Sequence, residues 1–312
     1  MTAAERTVWR RIERRVRAMT PEMSAAVMQA FDRVRAEMVP SEVAAAIARG
    51  GSQALFDEVL TRAVLASAYA PVQDVLRENV VESVQFFGRV LPFGQKVTSA
   101  IRFDYLNPRV IDAVRQLELG VLKNVNTNVV DTIRIAVEAG LRAGLSSPAI
   151  AKDLRPLVGV GPRQLQQVLN LRDAMLGQNG RTLSDYTMRN QRFDAAVKNG
   201  TLTDAQMSKA LASYTNSIAA QNANSIAGTA ARDSQKLAQR LSWVDALGQG
   251  IGDGEQLVHE WITVGDDRVR DEHQHDGEVQ PWDQPYSTGQ MVPGEGDYNC
   301  RCVERFYIIR AA

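Results

Sequence analysis

The sequence predicts a mainly α-helical protein: an elongated multi-helix body followed by a small α+β C-terminal module with a short antiparallel sheet. Three observations lead there. Aromatics are only 6% of a 312-residue chain rich in Ala, Leu, Gln and Arg, a composition that favours helices. No proline occurs between Arg163 and Gln280, a stretch most simply read as several helices. After Gly248 the apolar period switches from 3.6 to 2, and nine of the 22 glycines fall between Gly248 and Gly296. With 45% hydrophobic and 23% charged residues the chain can bury a core, which excludes disorder and collagen-like order.

The first twenty residues place Arg6, Arg10, Arg11, Arg14, Arg15 and Arg17 around Val8, Trp9, Ile12, Val16 and Met19. This is a basic amphipathic helix, whose apolar stripe docks on the protein's own core or on a partner helix. Thr20 and Pro21 read as an N-cap and first helical residue, opening a second helix that ends before Pro40. Ser41 caps a short third helix closed by Gly50 and Gly51. Helical stretches follow over Gln53–Tyr69 and Pro71–Phe87, and Gly88–Asn107 reads as a connection. From Pro108 the helical pattern returns, punctuated by Gly120, by Gly140 and Gly144, and by Ser147 capping Pro148; another helix covers Arg163–Gly177. Thr203 and Gln206 form a capping box, with Leu202 and Met207 as its staple, opening a long helix to Leu247.

Two strands are expected, over Leu257–Val264 and Cys302–Ile309. They bracket about forty residues of loop, which need a local tie: packing of Trp282 and Tyr286, a polar network, or a metal. The alternating Gly248, Gly250, Gly252 and Gly254 precede a strand rather than a helix, so they read as a hinge and not a nucleotide loop. Composition thus divides the chain into an N-terminal helical region (1–100), a helical body (101–247) and an acidic, Gly-rich module (248–312).

Lys plus Arg and Asp plus Glu both number 36, yet the balance is uneven. Residues 1–252 carry 31 basic against 23 acidic groups, and residues 253–304 carry 3 against 13. A basic body joined to an acidic tail points to macromolecular partners more than to a small-molecule substrate. No apolar run approaches the ~18 residues that cross a bilayer, no signal-peptide core opens the chain, and two cysteines make no disulfide framework. A cytoplasmic setting is therefore expected.

Both cysteines and two of the three histidines fall in the module. Cys300, Cys302 and His273, with His275 or His259, suit a structural zinc site, since thiolates and imidazoles can supply folding energy that a core-poor module lacks. The Cys-x-Cys spacing is tighter than the usual two to four intervening residues. Asp266, Asp267, Asp271 and Asp276 with the histidines suit instead a catalytic metal for phosphodiester cleavage, or a solvated acidic turn paired with Arg268 and Arg270.

The ordered residues Trp261-Ile262-Thr263, Asp266-Asp267-Arg268-Val269-Arg270, His273, Asp276-Gly277, Pro293-Gly294 and Asn299-Cys300-Arg301-Cys302 resemble the C-terminal signature of the phage Mu F-like minor head protein family, also called phage head morphogenesis proteins. Upstream, Gly140-Leu141, Gly144-Leu145-Ser146 and the helix from Thr203 to Leu241 are similar in layout, so the resemblance covers Asn107 to Phe306. Relatives often carry Arg-Thr-Glu where this chain reads Ile226 to Asp233, and some carry a Cys-x-x-Cys where it has Arg270 to His273. Some also continue into a toxin domain, which is not expected here.

The resemblance implies a minor capsid protein of a tailed bacteriophage, acting at the portal vertex in head assembly and in DNA packaging or ejection. It implies the portal protein and other head or neck proteins as partners, packaged double-stranded DNA against the Arg-rich body, no membrane, no small-molecule substrate and no enzymatic turnover. Its location would be the virion, with host cytoplasm during assembly. Asp266, Asp267, Arg268, Arg270 and Asp276 would be the polar framework of the tail module, with His273, Cys300 and Cys302 at its centre, the candidate metal ligands that their residue types suggest. Two alternatives stand beside it: a metal-dependent nuclease or hydrolase centred on Asp267, His273 and Asp276, and a sequence-independent DNA-binding protein.

Overall fold

The computed structural model describes residues 3–90, 108–248, 255–265, 269–295, 297 and 300–310. It is mainly helical, with one three-stranded antiparallel sheet among the described residues. The helices are α1 (Ala3–Glu37), α2 (Pro40–Glu58), α3 (Arg62–Ala68), α4 (Ala70–Val90), α5 (Pro108–Arg142), α6 (Ser147–Leu154), α7 (Pro162–Met175), α8 (Asp194–Lys198) and α9 (Asp204–Gly248). The strands are β1 (Glu255–Ile262), β2 (Val279–Pro281) and β3 (Val303–Arg310). No described helix is long and apolar enough to cross a membrane.

The chain gathers into two compact units that cut across sequence order. One comprises Met1–Met23, Gln73–Val121 and Ser225–Ala312; the other comprises Ser24–Val72 and Leu122–Asn224. Helices α1, α4, α5 and α9 each contribute residues to both. The boundaries read from composition at residues 100 and 247 thus mark changes of pattern, while the units are assembled from distant segments.

The second unit is built from apolar helix faces. Val27, Ala30, Phe31 and Val34 of α1 and Val125, Val129, Ile133 and Val137 of α5 are buried at helical spacing. Helix α6 packs on α2 and also lies so close to α5 that a Cβ on Gly140 would come within 2.7 Å of Ile150 Cγ1. Gly140 is therefore a packing residue inside α5 and not a stop, and α5 runs through Gly120 as well. Its end lies at Gly144, where φ is +71° and the Gly144 and Leu145 amides donate to the carbonyls of Leu141 and Gly140. Gly50 and Gly51 do break α2, with φ +64° at Gly51. The caps lie close to those expected but are shifted: Val39 precedes Pro40 in place of a Ser41 cap, Ser146 precedes α6 in place of Ser147, and Thr61 divides α3 from the end of α2.

In the first unit, Ile12, Val16 and Met19 of α1, Val80, Val84 and Phe87 of α4, Ala231 and Ala238 of α9, and Ile262 and Val303 of the sheet form one apolar cluster. The basic N-terminal helix thus docks its apolar stripe on the protein's own core. Thr20 and Pro21 do not open a new helix, because α1 continues through them. Thr20 Oγ1 donates back to the Val16 carbonyl at 2.6 Å, and the buried stripe of Val16, Met19 and Met23 carries on past the proline. Burying side chains of this size stabilises by about 1.5–3 kcal/mol each, enough to offset the roughly 3 kcal/mol that an interior proline costs.

Both expected strands form, and the sheet order is β2-β1-β3, with His259 opposite Phe306 and Trp261 opposite Glu304. Leu257 through Thr263 are all buried, as befits a central strand. The short edge strand β2 lies within the expected loop; three residues with one proline carry no alternation to announce it. Residues 91–107 of the expected connection and the glycines at 250, 252 and 254 lie outside the described residues.

Candidate metal centre

The return from β1 to β3 is held by named polar ties. Asp276 Oδ1 accepts the Thr263 amide at 2.8 Å, and Gly277, at φ +84°, donates its amide to the Trp261 carbonyl at 2.9 Å. The Glu278 carboxylate accepts from the Ser287 amide and hydroxyl, at 2.6 and 2.8 Å. From α9, Lys236 Nζ donates to the Pro293 carbonyl at 2.6 Å, and Arg240 donates to the carbonyls of Trp282 and Met291. From α1, Trp9 Nε1 donates to the Arg301 carbonyl at 3.3 Å. Arg232, Lys236 and Arg240 stand four residues apart, one stripe of cations on α9.

These ties bring His273, Cys300 and Cys302 together. Their ligand atoms all lie within 4.8 Å of one another, and all three residues are buried, His273 to 3% exposure. His273 Nδ1 is 3.4 Å from Cys300 Sγ, while Nε2 is 2.8 Å from Asp297 Oδ2. Arg270 Nη1 pairs with the other oxygen of Asp297 at 3.2 Å. Trp261 walls the group, its ring centroid 5.8 Å from that of His273. Gly294, at φ +69°, lies directly against Cys300: a Cβ there would fall onto Sγ and within 2.6 Å of the Cys300 Cβ.

The two sulfurs are unlike. A hydrogen bond from the Cys302 thiol, aided by the Lys236 ammonium and His273, holds Cys300 well below the ordinary thiol range against the opposing effect of burial. The same bond and burial drive Cys302 upward. Nearby, Asp233 lies 3.9 Å from Lys236, and burial raises its carboxyl to about 6.

The other residues singled out in the sequence fall as follows. His259 and His275 are not in the described cluster. His259 lies beside Glu304, with Nδ1 3.2 Å from Oε2 and the Tyr286 ring 4.3 Å from its own. His275 pairs with Glu278 at 3.1 Å. Asp271 is exposed at the head of a 3-10 turn ending at His273. Asp266, Asp267 and Arg268 lie outside the described residues. Sequence reasoning missed Asp297 and Lys236. The cation stripe of Arg232, Lys236 and Arg240 facing an acidic module was the available signal for Lys236; nothing local marks Asp297 among the module's many carboxylates.

Among known proteins, the chain matches no family model, no curated protein and no solved structure. Its chemistry lies in the cluster: two sulfurs and one imidazole nitrogen converge, buried and under the influence of the Lys236 ammonium, as a donor set suited to a soft or borderline cation.

Proposed function

We propose that the chain is a minor head protein of a tailed bacteriophage, of the head morphogenesis type, acting at the portal vertex by binding rather than by turnover. One observation carries the reading. The tail residues that carry the resemblance are scattered in sequence, yet several of them have a structural task in a single module. Trp261 walls the cluster, Asp276-Gly277 pins the turn after β1, and Pro293 accepts from Lys236. Gly294 makes room for Cys300, which meets His273. A pattern with so many elements serving one fold is more informative than the same motifs by chance.

The module's surroundings also favour this reading over the nuclease. His273, which the nuclease reading needs at its centre, is buried between Asp297 and Cys300 and is not presented to a phosphodiester, and Asp276 spends one carboxylate oxygen on the Thr263 amide. The test is quantitative mass spectrometry of gradient-purified particles from a lysate or induced prophage. This chain at or below the stoichiometry of the portal protein supports the proposal; its absence from both mature particles and assembly intermediates overturns it.

A specific observation favours DNA contact as a second reading. Arg6, Arg10, Arg14 and Arg17 are exposed on α1 at spacings of three and four residues, which aligns them along one face. Such a face suits phosphate contacts, with affinity that falls steeply as salt rises. Duplex binding that is salt-sensitive and weakened by Arg10→Gln with Arg14→Gln supports it; unchanged binding in that variant removes α1 from the interface.

A further inference from the structure

We propose that His273 Nδ1, Cys300 Sγ and Cys302 Sγ are three ligands of a structural Zn²⁺ site, with Asp297 as the outer carboxylate that orients the histidine. The inference rests on the cluster alone and is independent of the capsid reading.

Distances come first. A tetrahedral zinc with arms of about 2.3 Å to sulfur and 2.0–2.1 Å to nitrogen has S···N edges of about 3.6 Å and S···S edges of about 3.8 Å. The three ligand atoms lie within 4.8 Å of one another, with the Cys300–His273 edge at 3.4 Å, so an ion fits after side-chain shifts of no more than about 1 Å.

The second observation is the orientation of the ring. Nε2 lies 2.8 Å from Asp297 Oδ2, placed to donate its N–H there, and Nδ1 faces the sulfur side of the cluster, where a metal would be bound. Carboxylate, histidine and metal in this order are the usual outer support of a zinc-bound imidazole. Arg270 at 3.2 Å from the other oxygen fixes Asp297 in turn.

The third is the backbone. Gly294 leaves no space beside Cys300, and the Pro293 carbonyl before it is held from α9 by Lys236, so the sulfur position is set by main chain rather than by a mobile rotamer. Cys300 and Cys302, both free thiols, are themselves half of the buried cluster they form with Trp261 and Tyr286. So small an apolar centre leaves the loop between β1 and β3 with little apolar burial of its own, and metal binding adds to the polar ties that hold it. A two-sulfur, one-nitrogen set selects a borderline-soft tetrahedral ion over calcium or magnesium, and leaves one position that water or a backbone oxygen fills.

The experiment uses the full chain, purified without a tag under reducing conditions. Metal content is measured directly, then the metal is removed with a chelator and the apoprotein titrated with Co²⁺. The expected result is about one zinc per chain as purified, and on Co²⁺ addition the intense visible bands and sulfur-to-metal charge transfer of a tetrahedral thiolate site. Cys300→Ser cuts the charge transfer to about half, because Cys302 remains as the one thiolate, and weakens binding. Asp297→Asn keeps the spectrum but weakens affinity about 10–100-fold, and His275→Gln leaves it unchanged. A reduced, helical apoprotein that binds no Co²⁺ overturns the proposal. Should Cys300→Ser fail to fold, equal affinity in Asp297→Asn and His275→Gln overturns it as well.

Discussion

In the all-helical second unit, stability is spread over many apolar side chains: Phe31, Leu55, Ile133, Leu154 and Leu171 are each buried to 2% exposure or less. Between β1 and β3 the first unit works differently. There the chain contributes Tyr286 and the two cysteines to the buried apolar set, and its course is fixed by single hydrogen bonds such as Asp276 to Thr263 and Lys236 to Pro293. Apolar packing grades its response to damage, because neighbours relax into part of a cavity. A framework of single polar ties has no such reserve, since a lost partner leaves a buried group unsatisfied. A helical region of this kind tolerates sequence drift, whereas the module depends on particular residues at particular places.

That contrast can be tested with probes already in the chain, since all four tryptophans, Trp9, Trp243, Trp261 and Trp282, lie in the first unit. The largest effect is expected from Phe31→Ala, which empties a site in the second unit and costs about 3–5 kcal/mol in urea unfolding followed by circular dichroism. Phe31→Leu should recover most of it; equal losses for both would show that packing there is not graded.

Next in size is Gly294→Ala. One added methyl meets Cys300 at a left-handed backbone position, and should cost about 3 kcal/mol in the transition followed by tryptophan fluorescence. A fluorescence midpoint that does not move would break the comparison.

Asp233→Asn sharpens it through pH. Burial raises the Asp233 carboxyl to about 6 in the folded chain, so the folded state holds this proton more tightly than the unfolded one. The resulting stability is fully present below about pH 4 and is lost as pH rises through about 6, a change of roughly 2–3 kcal/mol in the metal-free chain. The asparagine variant should lack that loss and be the more stable of the two at neutral pH; parallel pH profiles would remove Asp233 from the account.

The smallest effect is a gain. Gly120 is exposed within α5, with nothing within 4 Å of an added Cβ, so Gly120→Ala should stabilise by up to about 1 kcal/mol. A loss of stability would instead reveal a partner surface or strain at that turn.

Much of the fold was legible along the chain, and the readable parts share a cause. The box at Thr203 and Gln206 forms as its spacing implies, with Thr203 N–H donating to Gln206 Oε1 at 2.9 Å and Gln206 N–H to Thr203 Oγ1 at 3.2 Å. Gly51 breaks a helix and Gly144 ends one, and the two alternating apolar runs pair as strands. Each of these is decided within a few residues, by a donor, an acceptor or a backbone angle that neighbours supply. His273, Cys300 and Cys302 were also legible as a group, because those residue types are scarce in this chain and crowd its end.

Other features follow from residues far apart in sequence. Pro21 sits inside a helix because burial along α1 outweighs its local cost. Gly140 is a glycine for Ile150, Gly294 for Cys300, and Lys236 is a buried lysine for a carbonyl 57 residues away. Asp297 became the partner of His273 only when the turn through Gly294 set it there. Local chemistry was enough to choose helices, strands and the donor atoms of the cluster. Which helix passes its proline, which carboxylate orients the histidine and which chain segments share a unit were decided by long-range packing, whose free energy no short window of sequence contains.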